Sequence, residues 1–409
     1  MNIRGSHKAS MKSKSPKIAI IGAGLTGLSA AYYLRQRCPE AHVKIFERED
    51  RIGGRVFTSH RPMGEHGAEF LLDSENAFLS LLRKVNVEHT PAINSWPGYF
   101  FRGRFAKGKP SKAAKRLLPN SANRLPELFK LAKDKRLWPK ANSSFDIWLA
   151  SLLQNDSEAF RFVEMLLLSK TCAPLSAIST EHGLECLKSL LQDKWFRIKG
   201  GSEKLVQALF FESNAYLKRK AEVLSVQQKH KVQMVQVHWS HNAQKEMENF
   251  QVVIVTTPTH NNFGGYISVL LEYRRRPRLK ANPNFDLKRG LYDERLSYIQ
   301  QIPTLLDTPY VIRILIPNAS AKCRWSNQRI RRFCLNRLKK IVRDCDKPCD
   351  WSVQKWPSGL SLGNDKGEGF LRVGSSLIFL AGDRFVHWPS MDEAIKSGRK
   401  VAKKVASLL

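Results

Sequence analysis

The sequence predicts an α/β fold, and three observations carry the prediction. The apolar stretch KIAII at Lys17–Ile21 reads as a short buried strand. Gly22, Gly24 and Gly27 follow it at once as G-x-G-x-x-G, and Leu28, Ala31 and Leu34 then recur at helical spacing. HVKIFE at residues 42–47 makes a second strand, ending in Glu47, 20 residues after Gly27. Strand, glycine loop, helix and acid-tipped strand in this order form a Rossmann-type dinucleotide-binding unit. Gly22 permits the tight turn, Gly24 lets a pyrophosphate approach the backbone, and Gly27 lets helix and strand pack closely. The helix start then offers free amides and a positive dipole end to the phosphates. Glu47 stands where a carboxylate accepts hydrogen bonds from a ribose 2′-hydroxyl, which disfavours a 2′-phosphate.

Composition limits the alternatives. With 409 residues, 42% of them hydrophobic, the chain has enough apolar mass for two or three domains. Seven cysteines, odd in number and never in a CxxC pair, suggest neither a disulfide framework nor a zinc site, so no metal is expected, and their number fits a reducing cytoplasm. The net charge of +32 admits attraction to nucleic acid, to anionic lipid or to an acidic substrate. Two stretches are densest in basic residues: 102–140, and 322–343, which holds nine Lys or Arg and no acid. In the second, Ile330, Cys334, Leu338 and Ile341 fall at helical spacing, which predicts a surface helix with its basic residues on the solvated face. No nucleic-acid motif accompanies the charge, so nucleic acid is not expected as a partner. No apolar run reaches 18 residues, the length needed for a membrane span. MNIRGSHKAS reads as a polar leader, with Met11 a plausible native start, and residues 1–16 are set apart as leader or disordered.

After the acid, DRIGGRV supplies Arg51, Gly53, Gly54 and Arg55 as R-x-G-G-R. Two more glycines allow a second close backbone approach, and the Arg55 fork can neutralise pyrophosphate charge. At this point the sequence resembles the flavin-containing amine oxidase superfamily, which includes amine oxidases, protoporphyrinogen oxidase and phytoene desaturases. GEHGAEFLLDSENAFLSLLRKVNVE at 64–88, WFRIKGGSEKLVQAL at 195–209, VVIVTTP at 252–258, LIFLAGDRF at 377–385 and SMDEAIKSGRKVA at 390–402 are similar to further family segments, in family order. Ser390 and Glu393 have capping-box spacing, so the last helix should start at Met391.

The resemblance implies a discontinuous FAD-binding domain from residues 17–90, 195–258 and 372–409, and a second, mixed α+β substrate-binding domain from 91–194 and 259–371. It implies FAD, bound non-covalently because no Cys stands at the attachment position. The implied cofactor residues are Gly22, Gly24, Gly27, Glu47, Arg48, Arg51, Gly53, Gly54, Arg55, Gly67, Ala68, Glu69, Phe70, Val223, Gly382, Asp383, Met391 and Ala394. Asp383 would lie near the ribityl and pyrophosphate part, Val223 at adenine, and the amides around Met391 at the pyrimidine end, where a helix N-terminus stabilises a reduced flavin's negative charge. Within the nucleotide region, residues 223–226, 232–239 and 250–256 read as three strands of a small meander. Residues 91–194 look mostly helical, and 259–290 are the least readable part of the chain.

Such enzymes pass hydride from substrate to flavin N5 and need orientation and desolvation more than acid–base groups. No catalytic side chain is therefore fixed by sequence; Lys288, Trp356 and Trp388 are candidates. Lys288 is also readable as a surface lysine and Trp356 as a core residue. Amino acid oxidases carry a carboxylate-gripping Arg where this chain has Phe70, so a free α-amino acid is disfavoured. The aromatic residue that precedes the last helix in many amine oxidases is here Ser390, with His387 and Trp388 slightly earlier.

The resemblance favours an amine oxidase-like enzyme with dioxygen as electron acceptor and a small-molecule amine or apolar substrate. A protoporphyrinogen oxidase- or desaturase-like enzyme for a bulky apolar substrate is the second reading, and it would suit peripheral association with the inner membrane of an otherwise cytoplasmic protein. A basic non-enzymatic flavoprotein is the third. A nicotinamide dehydrogenase leaves R-x-G-G-R and the C-terminal Gly-Asp pair without a role.

Overall fold

The computed structural model describes residues 15–72, 75–91, 96–139, 143–191, 195–229, 234–258, 263–302, 309–317, 321–345, 347–362, 369–385 and 390–409. Residues 1–14 of the leader, His387, Trp388 and Val232 lie outside the described residues.

The strand that precedes the glycines becomes the inner strand of a six-stranded sheet. In order across the sheet the strands are Tyr216–Lys218, His42–Phe46, Lys17–Ile21, Val252–Val255, Ile378–Ala381 and Phe370–Arg372. All neighbours pair parallel except the last two. Val252, Val253 and Ile254 are buried on both faces, as a parallel strand covered by helices requires. The helices Leu25–Arg37 and Met391–Ala406 cover one side, burying Leu28, Leu34, Ile395 and Val401 completely. Each such side chain contributes about 1.5–3 kcal/mol of transfer free energy. The two helices meet at Gly398, where a Cβ would stand 2.6 Å from the Thr26 carbonyl oxygen. Only glycine lets them approach so closely.

A three-stranded antiparallel meander, Ala221–Lys229, Met234–His241 and Gln244–Phe250, covers the other side with Val235, Val237 and Trp239. The third meander strand is thus Gln244–Phe250, and the expectation of a strand over 250–256 is corrected: Val252–Val255 belongs to the parallel sheet. QKEMENF is exposed along nearly its whole length, so it carries no apolar alternation to betray it.

A second sheet of seven strands runs Asp350–Ser361, Phe263–Tyr273, Tyr310–Ile316, Ser297–Ile302, Leu291–Asp293, Gly98–Phe101 and Arg104–Lys107. Its pairs are antiparallel except Leu291–Asp293 with Gly98–Phe101. The unreadable 259–290 stretch contains Phe263–Tyr273, one of its interior strands. Helices Pro110–Leu117, Leu125–Lys133, Phe145–Leu152, Ser157–Thr171 and Thr180–Leu190 form the apolar cluster beside it, as the helical reading of that region expects. Asn327–Ile341 is the basic helix, with Ile330, Cys334, Leu338 and Ile341 buried as their spacing predicts. One of its basic residues departs from the solvated face: Arg337 is largely buried and forks onto Asp293 at 2.7 and 3.1 Å. Among the described residues no helix is long and apolar enough to cross a membrane.

Candidate functional site

The glycine loop is built by backbone alone. Gly22 takes φ +100° and donates to the Phe46 carbonyl at 2.8 Å, a conformation that costs glycine little. Gly27 packs against it, since a Cβ there would lie 2.1 Å from the Gly22 oxygen. The second glycine pair meets the first: Gly53 donates to the Ala23 carbonyl at 2.8 Å, and a Gly54 Cβ would lie 3.2 Å from the Gly24 Cα. Gly24, by contrast, has open space where its Cβ would be. It caps the Leu25–Arg37 helix with no side-chain hydrogen bond and no acid in the first turn, so that helix start is left free for an anion. Glu47 brackets the loop, its carboxylate accepting from the amides of Ala23 at 2.8 Å and Glu49 at 2.9 Å.

One cavity of about 1240 Å³ begins here and runs between the two sheets. It exceeds the roughly 300–1,000 Å³ of a typical small-molecule pocket, leaving room for a dinucleotide and a second ligand. Of the residues predicted from sequence, Gly22, Gly24, Glu47, Arg48, Gly53, Gly54, Arg55, Gly67, Ala68, Glu69, Phe70, Val223, Asp383, Met391 and Ala394 line it, as do Lys288 and Trp356. Gly27 and Gly382 stand behind the wall. Arg51 is turned away: its guanidinium donates to the Gly54 carbonyl at 2.9 Å and stacks on Phe57 at 4.4 Å, bracing the loop from outside. Arg55 does reach the cavity, but its fork is engaged by Asp383 at 2.7 and 2.8 Å. Ser390 caps the last helix through the Glu393 amide at 3.2 Å, as the capping spacing predicts. Trp356 is a buried wall residue, donating its indole N–H to the His66 carbonyl at 3.1 Å.

Away from the glycines the cavity is aromatic and charged. Tyr99 and Tyr292 stack at 5.6 Å, and Tyr298 meets Tyr292 edge-on at 5.2 Å. Phe70 and Trp195 pack edge to face at 5.8 Å. Arg313, from the Tyr310–Ile316 strand, is buried and donates to Glu69 and to the Gly67 carbonyl, both at 2.7 Å. Burial pushes the Lys170 ammonium down to about 8 and the Glu75 carboxyl up to about 7. Sequence reasoning missed Lys170, Arg197 and Arg313. The one available signal was a lone arginine in the apolar strand YVIRILI, since an unpaired charge is not buried in a core strand.

A Rossmann-type sheet with two interlocked glycine loops opening into a large aromatic chamber defines a dinucleotide-dependent oxidoreductase architecture. The chain belongs to the flavin containing amine oxidoreductase family, whose model matches residues 25–406. Among curated relatives it is 38% identical over 95 residues to coproporphyrinogen III oxidase of Staphylococcus aureus (strain NCTC 8325 / PS 47), covering 22% of this chain and 20% of that one. It is 33% identical over 110 residues to the flavin-containing amine oxidase A of Equus caballus, covering 24% and 20%. The matched stretches thus span about a fifth of the length of these relatives. Among solved structures, cyclohexylamine oxidase from Brevibacterium oxydans IH-35A superposes with a TM-score of 0.73 at 17% identity, over 96% of this chain and 99% of that one. At that identity the likeness shows the fold. The family's cofactor is FAD, and the uncapped helix start, the open space at Gly24 and the cavity volume fit it.

Proposed function

We propose that the protein is an FAD-dependent oxidoreductase that removes hydride from a small molecule held in the aromatic chamber and passes the electrons to dioxygen. The observation that carries this reading is the continuity of the cavity from the interlocked glycine loops to the tyrosine and tryptophan walls. When bound non-covalently, FAD supplies the hydride acceptor. The chain's own groups do the rest. The amides at Leu25 and Thr26 hold the pyrophosphate, with Gly24 giving it access. Glu47 accepts from the ribose hydroxyls, and Val223 borders the adenine. Asp383 sits at the ribityl side and keeps Arg55 in reach of the phosphates. The start of the Met391–Ala406 helix stabilises negative charge at the pyrimidine end. The tyrosine cluster and Trp356 orient the substrate and exclude water. In this reading the six-stranded sheet carries the cofactor and the seven-stranded sheet forms the floor of the substrate chamber.

An amine is one substrate class for such a site, in line with the cyclohexylamine oxidase likeness. A bulky apolar substrate is the second reading, favoured by the chamber's aromatic walls and by its cations Lys170, Arg197 and Lys288, which repel a protonated polyamine. Anaerobic bleaching of the flavin by a panel of amines, set against a porphyrinogen, separates the two. Bleaching by amines with peroxide formed on admitting air supports the first; bleaching by the porphyrinogen alone supports the second. No bleaching by any compound in either group counts against the enzyme reading.

A further inference from the structure

The edge-to-face pair of Phe70 and Trp195 carries one cation on each ring. The Lys170 ammonium lies 4.0 Å from the Trp195 ring centre, and the Arg197 guanidinium lies 5.5 Å from that of Phe70. All four residues line the cavity, and they come from three separate parts of the chain: the loop after Gly67, the Ser157–Thr171 helix and the Trp195–Ile198 strand.

These two cations are only partly neutralised. Among the described residues no carboxylate lies within ion-pair distance of Lys170. The carboxylate nearest Arg197 is Glu69 at 3.5 Å, and Glu69 gives its close contact of 2.7 Å to Arg313 instead. Glu75, whose charge attracts Lys170 from beyond ion-pair distance, accepts from the Leu72 amide at 2.9 Å, and its own burial disfavours its charged form. Lys288 and Arg289 add further positive charge to the lining. Lys170 is withdrawn from water with no carboxylate at ion-pair distance, and Arg197 has only a shared one; such burial costs free energy, which an anionic ligand would recover.

We propose that Lys170 and Arg197 form an anion subsite that binds the carboxylate of an aromatic or otherwise unsaturated substrate, whose apolar body lies against Phe70, Trp195 and the tyrosine cluster. The proposal deepens the flavoenzyme reading and rests on it for the chemistry that follows binding. A lysine and an arginine that both reach one carboxylate would make charge-assisted hydrogen bonds to it. The same two groups repel an ammonium, so the subsite selects against the amines that a neutral aromatic chamber would accept.

The test is calorimetric titration of the purified protein with three probes of one shape: trans-cinnamate, cinnamamide and cinnamylamine. The proposal expects cinnamate to bind about ten-fold or more tightly than the neutral amide, with the amine weakest. Lys170→Met and Arg197→Gln should each remove that advantage while leaving the amide's affinity unchanged, and Lys170→Arg should restore it. Equal affinity for the three probes, or unaltered cinnamate binding in both variants, overturns the proposal. If the variants do not fold, the order of the three probes on the unaltered protein decides alone. The visible spectrum of the same samples keeps the two readings apart: a flavin band without charge selectivity overturns the subsite only, and selectivity in a protein that takes up no flavin overturns the flavoenzyme reading only.

Discussion

Arg55 and Asp383 stand 328 residues apart in sequence and meet in a two-bond fork at 2.7 and 2.8 Å on the cavity wall. The pair ties the second glycine loop to the strand end that precedes the last helix, so the two ends of the chain close one pocket. Asp383 is buried and Arg55 is about a third exposed. Asp383→Ala leaves the guanidinium without its partner at a cost of about 1–3 kcal/mol, and solvent around Arg55 keeps it toward the lower figure. The variant is expected to melt earlier and to lose FAD on gel filtration, and Asp383→Asn to fall between it and the unaltered protein. Unchanged melting and flavin content in both would mean the fork does not hold the wall.

The glycines separate fold from cofactor. Gly27→Ala drives a methyl to 2.1 Å from the Gly22 oxygen, so the protein should lose about 1–3 kcal/mol of stability whether or not flavin is present. Gly24→Ala meets nothing and keeps an extended backbone at φ −77°. It should leave the flavin-free protein's denaturation midpoint unchanged while weakening FAD binding at least about ten-fold. Denaturant melts with and without added FAD check both, and a Gly24→Ala protein that binds FAD normally would move the phosphates away from this loop.

Arg313 and Glu69 form a buried pair, with side chains 6% and 4% exposed. Arg313→Met takes away the close partner of Glu69 and leaves it the 3.5 Å contact with Arg197, so it should cost about 3 kcal/mol, whereas the double change Arg313→Met with Glu69→Gln should recover part of the loss. Additive losses in the double variant would show that the two side chains stabilise the protein independently.

Acid stability follows from four buried groups. Burial holds His66 at about 3 and His182 at about 4, below the ordinary 6.5. As pH falls below 6.5 the unfolded chain takes up protons that the folded chain refuses, so these histidines lower stability. Glu65 and Glu75 are pushed up from 4.5 to about 7, mainly by burial. They act in the opposite sense, adding stability as pH falls from about 7 to 4.5 and none beyond. The two effects offset each other between 6.5 and 4.5, and below 4.5 the histidine loss continues, joined by carboxylates that hydrogen bonds and cations hold below their ordinary range, Asp156 and Glu248 among them. Urea midpoints should therefore stay nearly level to about pH 4.5 and then fall, less steeply in His66→Gln. A midpoint that stays level to pH 3, or that declines steadily from pH 6.5, would contradict this assignment.

What the sequence revealed was local chemistry. The Gly22–Gly27 loop, the Gly53–Gly54 pair and the Ser390 cap are each fixed by a few adjacent residues whose backbone needs only those residue types, and these three take the local geometry their spacing predicts. The Asn327–Ile341 helix was legible because one face is apolar at a fixed period. The Phe263–Tyr273 strand was not: buried along almost its entire length, it has no alternation to mark it as a strand. Lys170, Arg197 and Arg313 were invisible for a different reason. Each is one charge in an ordinary stretch, and only tertiary packing sets the Tyr310–Ile316 strand, the Ser157–Thr171 helix and the Trp195–Ile198 strand around one cavity. The Arg55 fork to Asp383 is likewise a tertiary fact, since the glycine motif gave Arg55 to the pyrophosphate, the family resemblance gave Asp383 to the ribityl side, and neither gave a sign that they hold each other.

The measurement that bears most directly on the central claim is the visible absorption spectrum of the purified protein, followed by acid release and chromatography of its chromophore. The account predicts a flavin spectrum and near-stoichiometric FAD freed by acid without proteolysis. A colourless protein that cannot be reconstituted with FAD would contradict it.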